Sequence, residues 1–110
     1  MSNEPGWSEF DSVRLFDLTD RVAIITGGAG ALGEGFAHGL VSNGARVVIA
    51  DIDSARGQEL VASLDRRKMG HAVFQRADVA VEADVKAVVE KAVSHFGKVD
   101  ILINNAAAPV

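Results

Sequence analysis

Cysteine is absent from this 110-residue chain, so it holds no disulfide scaffold and no thiolate metal site, a pattern that suits the cytoplasm. Tyrosine is absent too, proline occurs twice, and aromatic residues make up only 5% of the chain. Apolar runs are short, far below the roughly 20 residues that span a bilayer, so no membrane segment is expected. The N-terminus, M-S-N-E-P-G-W, lacks the basic-then-apolar order of a secretory signal. No run of lysine and arginine occurs, and the densest cluster, Arg66-Arg67-Lys68, reads as a solvated helix end. With a net charge of −4 and a pI near 5.2 the chain offers no basic face, which argues against a nucleic-acid partner. What remains is a soluble intracellular domain, or a piece of one, whose 48% hydrophobic content can build a core.

The stretch Val22 to Gly33 reads V-A-I-I-T-G-G-A-G-A-L-G. It opens as a buried strand rich in β-branched residues, turns through Gly27, Gly28, Gly30 and Gly33, and continues into a helix over Glu34 to Asn43. A strand that gives way to a helix through glycines leaves unpaired N–H groups at the positive end of the helix dipole, a natural seat for a pyrophosphate. Gly28-Ala29-Gly30-Ala31-Leu32-Gly33 fits G-x-G-x-x-G, with a strand before it, a helix after it and an acid about 20 residues on.

Around this stretch the chain alternates. Residues 1–17 read as an N-terminal extension and 18–110 as one nucleotide-binding unit, with Gly44 stopping the first helix. Ala45 to Ala50 forms a second strand, and Asp53 or Ser54 caps a helix from Ala55 to about Met69. His71 to Arg76 is a third strand. Val85, Val88, Val89, Ala92, Val93 and Phe96 mark the inner face of a third helix that Gly97 ends, and Val99 to Ile103 is a fourth strand. A β-α-β-α-β-α-β order with continuous apolar strands predicts a parallel α/β sheet of strand order 3-2-1-4, half of a doubly wound fold plus one strand.

Every candidate site residue falls at a strand's carboxyl end. Asp51, at the end of strand 2, can accept both hydroxyls of an adenine ribose and repel a 2′-phosphate, so the sequence favours NAD over NADP. Arg46 opens its strand and Arg56 lies inside the next helix, so neither is placed at a 2′-phosphate. Asp78 and Val79 end strand 3 near the expected adenine, and Asn104 with Asn105 follows strand 4. His38, His71 and His95 lack ligand spacing, so no metal site is expected.

These residues resemble the short-chain dehydrogenases/reductases from about Phe16 to Ala107. The resemblance rests on Leu18-Thr19-Asp20-Arg21, the Thr26-Gly27 turn, Asp51, Asp78-Val79, His95-Phe96-Gly97, and Val99-Asp100-Ile101-Leu102-Ile103-Asn104-Asn105-Ala106. It implies a Rossmann-type fold and NAD(P)-dependent hydride transfer between an alcohol and a carbonyl, in a homo-oligomer. The implied cofactor-binding positions are Thr26, Gly27, Gly28, Ala29, Gly30, Ala31, Leu32 and Gly33, Asp51 with Ile52, Asp78 with Val79, and Asn104, Asn105 and Ala106. Two positions depart from the compact branch of the family. Ala31 replaces the middle glycine of TGxxxGxG, and Ala107 replaces the last residue of NNAG. The same residues also fit the TGxxGxxG of the extended epimerase and dehydratase branch, but Asn104-Asn105-Ala106 resembles the compact one.

The family's proton donor is a tyrosine in Tyr-x-x-x-Lys, supported by Ser and Asn, all beyond strand 4. A chain without tyrosine supplies no catalytic residue, and the expectation is a cofactor-binding half, inactive alone and with an open edge on strand 4. Two other classes compete: a non-catalytic nucleotide-binding fragment or inactive relative, and a methyltransferase of similar plan. Thr26-Gly27 and Asn104-Asn105 count against the methyltransferase.

Overall fold

Strands that are apolar at nearly every position must be covered on both faces, which a parallel sheet flanked by helices provides. The computed structural model describes residues 15–66 and 71–106. Along them run β1 (Val22–Thr26), α1 (Ala31–Ser42), β2 (Arg46–Asp51), α2 (Ser54–Asp65), β3 (His71–Arg76), α3 (Glu82–Phe96) and β4 (Ile101–Asn104). The strands form a sheet in the order β3-β2-β1-β4, with neighbours parallel throughout. This is the partial doubly wound α/β fold that the alternation predicts. Most of the expected N-terminal extension, the expected helix end at Met69 and the Ala107 position lie outside the described residues.

Alternate strand residues serve opposite layers. Ala23, Ile25, Val47, Ile49 and Ala72 meet Ala37 and Val41 of α1 and Leu60 and Leu64 of α2. Val22, Ile24, Val48 and Ala50 meet Val88 and Ala92 of α3 on the other face. Burying an Ile or Val side chain fully contributes about 1.5–3 kcal/mol, so these two layers supply most of the cohesion. Gly57 of α2 is buried because the Phe74 ring of β3 occupies the place a side chain would take there.

The helix bounds differ informatively from the sequence reading. Helix α1 starts at Ala31 rather than Glu34, with Gly30 extended at its N-cap (φ −75°, ψ 169°), so the last part of the glycine run is already helical. Asp53 caps α2 as expected, its carboxylate accepting from the Arg56 N–H at 3.1 Å. The expected inner face of α3 is only half used: Val88 and Ala92 are buried, whereas Val85, Val89 and Val93 are 43%, 45% and 50% exposed. Val85 and Val89, with Val99 and Leu102, border an apolar groove of about 210 Å³. Periodicity marks which side of a helix is apolar, and among the described residues the sheet covers only part of that side.

At the opposite rim from the glycine turn, Asp100 ties β1 to the segment before β4. Its carboxylate accepts from the Val22 N–H at 2.9 Å and lies 3.0 Å from Lys98 Nζ. The Val22 hydrogen bond, and then Lys98, hold its carboxyl below the ordinary aspartate value, about 3.9. A lowered folded-state value stabilises the fold above the unfolded-state value and loses that contribution as the pH falls through the folded one. The parent is therefore expected to melt higher than Asp100→Asn at pH 7, with the gap closing below about pH 4. Melting curves of the two proteins from pH 2 to 7 check this, and a gap independent of pH counts against the charged brace.

Candidate functional site

Hydrogen bonds between the strand ends build a rim above the sheet. The Thr26 hydroxyl donates to Asn104 Oδ1 at 2.9 Å and accepts from the N–H groups of Asn105 (3.1 Å) and Ala106 (3.2 Å). Asn105 Nδ2 donates to the Gly27 carbonyl at 3.2 Å. Gly27 has φ +65°, a conformation that side-chain-bearing residues rarely adopt, and sits hard against Ala106. The glycine turn and the segment after β4 are thus one locked unit.

The Asp51 carboxylate fastens a second junction. Its Oδ2 accepts from the Ala29 N–H at 3.0 Å and its Oδ1 from the Asp53 N–H at 2.9 Å. Both oxygens therefore already brace the glycine turn against the turn that starts α2. At a third junction, Asp84 of α3 accepts from the Asp78 N–H at 2.9 Å and pairs with Arg76 at 3.4 Å. Asp78 in turn accepts from the Ala80 N–H at 2.9 Å.

These junctions surround a cavity of about 450 Å³ at the carboxyl ends of the strands. Gly27, Ala29 and Gly30 form its floor from the glycine turn, and Asn105 and Ala106 close one side. Asp51, Ile52, Asp53 and Arg56 line it from the β2–α2 junction, and Ala77, Asp78, Val79 and Ala80 from the segment after β3. Within the turn, Gly28 N–H donates to the Ala50 carbonyl and Gly30 N–H to the Gly27 carbonyl. Among the described residues, the N–H groups of Ala31, Leu32 and Gly33 have no backbone acceptor, and no side chain caps α1. Unpaired amides at the positive end of a helix, beside a cavity of this size, fit the diphosphate of a dinucleotide.

Of the expected positions, nine therefore line the cavity: Gly27, Ala29, Gly30, Asp51, Ile52, Asp78, Val79, Asn105 and Ala106. Thr26, Gly28, Ala31, Leu32, Gly33 and Asn104 do not; Thr26 and Asn104 hold the rim together, and Gly28 packs beneath it with no room for a Cβ beside Ile49. The sequence reading missed Arg56, Ala77 and Ala80 as lining residues, and took Asp53 only as a cap. Arg46 stays away from this rim, 3.5 Å from Asp20.

A four-stranded parallel sheet of order 3-2-1-4, with a glycine turn and unpaired helix amides at its carboxyl rim, defines a Rossmann-type nucleotide-binding half. A family model, short chain dehydrogenase, matches residues 21–110, and the chain belongs to that family. It is 45% identical over 89 residues to momilactone A synthase of Oryza sativa subsp. japonica, covering 81% of this chain and 31% of that protein. It is 40% identical over 95 residues to 2,5-dichloro-2,5-cyclohexadiene-1,4-diol dehydrogenase of Sphingobium indicum, covering 86% of this chain and 36% of that protein. The chain thus spans about a third of the length of these curated relatives. Among solved structures, a hydroxysteroid dehydrogenase from Escherichia coli matches with a TM-score of 0.81 and 34% identity, over 84% of this chain and 39% of that one. The L-sorbose reductase of Gluconobacter frateurii, complexed with NADPH and L-sorbose, matches with a TM-score of 0.80 and 34% identity, over 86% of this chain and 36% of that one.

The NADPH complex of the sorbose reductase overturns the preference for NAD inferred from Asp51. The physical reason lies in two side chains. Asp51 is engaged with the backbone of two turns, so its presence at the strand end does not by itself report a ribose contact. Arg56, set aside as a residue inside a helix, lines the same cavity and brings a cation to it. No helix among the described residues is long and apolar enough to cross a membrane.

Proposed function

We propose that this chain is the dinucleotide-binding portion of a short-chain oxidoreductase that moves a hydride between a small alcohol or carbonyl substrate and a nicotinamide cofactor. The observation that carries the reading is the cavity at the strands' carboxyl rim, floored by Gly27, Ala29 and Gly30, the turn that leads directly into the unpaired amides of α1. Ala31, Leu32 and Gly33 would donate to the diphosphate, Asp51 and Ile52 would lie along the adenosine ribose, and Asp78 and Val79 would border the adenine. Thr26 and Asn104 would act by holding the rim, and Asn105 and Ala106 would border the cofactor's far half. The nicotinamide supplies the hydride chemistry when bound. Proton transfer to the substrate is assigned to residues outside these 110, since the chain has no tyrosine.

The cofactor assigned is NADPH, following the sorbose reductase and the cation at the cavity wall. Arg56, unlike a lysine, offers a planar fork suited to a phosphate. Calorimetric titration of the intact protein with NADPH is expected to show one site. Arg56→Ala is expected to weaken NADPH roughly tenfold, the low end for a hydrogen bond to a charged group, because this arginine is exposed. Its effect on NADH should be small. A protein that binds neither dinucleotide, or binds S-adenosylmethionine instead, refutes the assignment.

A further inference from the structure

Behind Arg56 lies a second cavity, of about 240 Å³, between α1 and α2. Ala29, Glu34, Arg56, Glu59, Leu60 and Ser63 line it, so Arg56 and Ala29 form the wall shared with the larger cavity, and two carboxylates stand on the far side of Arg56. No carboxylate lies within 4.0 Å of the Arg56 guanidinium among the described residues, so its charge is not already committed to an ion pair. Glu59 follows Arg56 by three positions on α2, a spacing at which helix side chains are neighbours. Glu34 belongs to the first turn of α1 and lies 3.8 Å from His38 Nε2, so part of its charge is directed along its own helix. Glu59 makes no ion pair among the described residues, which leaves it the freer of the two to act on Arg56.

We infer that Glu59, helped by Glu34, is a positioning residue that draws the Arg56 side chain toward the second cavity and so sets how strongly the first discriminates for a 2′-phosphate. The inference rests on the dinucleotide reading above. Two orientations compete for one guanidinium: toward Glu59 and Glu34, or into the first cavity, where Asp51, Asp53 and Asp78 also line the wall and a phosphate on the ribose would add its own charge. Removing Glu59 or Glu34 weakens the first and strengthens the second. A dinucleotide without the 2′-phosphate gains nothing from the change, so the effect falls on discrimination rather than on binding in general.

The test uses the intact protein and two fragments, 2′,5′-ADP and 5′-ADP, titrated by calorimetry. Glu59→Gln is expected to tighten 2′,5′-ADP roughly two- to fivefold, the range of an exposed charge pair, while 5′-ADP is unchanged. Glu59→Asp, which keeps the charge, stays closer to the parent, and the gain from Glu59→Gln shrinks in high salt. In an Arg56→Ala background the Glu59→Gln gain disappears, because the acid acts through the arginine. The inference is overturned if the parent binds both fragments yet Glu59→Gln and Glu34→Gln leave their ratio unchanged, or if the gain survives without Arg56. A parent that binds neither fragment instead fails the dinucleotide reading itself, and a thermal melt of each variant separates that outcome from misfolding.

Discussion

Gly33→Ala is expected to destroy dinucleotide binding and to lower stability by about 3 kcal/mol, the upper part of the range for overpacking a tight contact. A Cβ on Gly33 would strike the Gly27 carbonyl oxygen and would lie 2.7 Å from Gly28 Cα and 2.9 Å from Gly28 C. All three are backbone atoms, so no side-chain rotation relieves the contact. The helix must instead back away from the turn, carrying with it the unpaired N–H groups of Ala31 and Leu32. Glycines elsewhere on α1 behave oppositely. At Gly35 and Gly39 a methyl group would meet nothing within 4 Å, so alanine there follows helix propensity and gains up to about 1 kcal/mol. Gly39→Ala is thus the control: urea unfolding should show it at or above the parent, with NADPH affinity retained. If Gly33→Ala binds NADPH as the parent does, the close seating of helix on turn is not what aims the amides.

The contrast between these glycines shows which features a sequence displays and which it does not. Strand order and layer assignment follow from the apolar runs ending at Thr26, Ala50 and Ile103, because only a doubly covered parallel sheet accommodates them. Glycines at 44 and 97 mark helix ends, and both have positive φ (94° and 86°). The start of α1 escapes notice because a Gly-Ala-Leu-Gly run has the composition of a turn while its backbone is already helical from Ala31 on. Asp51 illustrates a different gap. An acid at a strand end looks the same whether it faces a ribose or, as here, accepts from two backbone N–H groups. Arg56 escaped for a geometric reason that was available in principle. Side chains on a helix lean toward its N-terminus, so a residue in the first turn of α2 reaches over the rim rather than along the helix flank. The half-exposed stripe on α3 marks the other limit, since a pattern of valines records apolarity and not the partner that covers it.

Thr26→Val keeps the shape of the side chain and removes one hydroxyl, yet it is expected to cost about 2–4 kcal/mol, because part-buried N–H groups lose their acceptor. That hydroxyl is a hub: it donates to Asn104 and accepts from the backbone of Asn105 and Ala106, all on or just after β4. Valine satisfies none of the three, and β-branching is retained, so strand propensity does not change the balance. The damage reaches the cavity through Asn105, whose amide holds the Gly27 carbonyl, and through Ala106, which packs on Gly27. Freed from Thr26, the segment after β4 no longer fixes the conformation of the glycine turn, and NADPH affinity should fall together with stability. Thr26→Ser restores the hydroxyl and should recover most of both. Hydrogen exchange gives the sharpest reading: protection should drop at the amides of Asn105 and Ala106 in Thr26→Val and stay parental at those of β2. Uniform loss across the sheet would mean that the threonine serves the strand as a whole rather than the rim that borders the cavity.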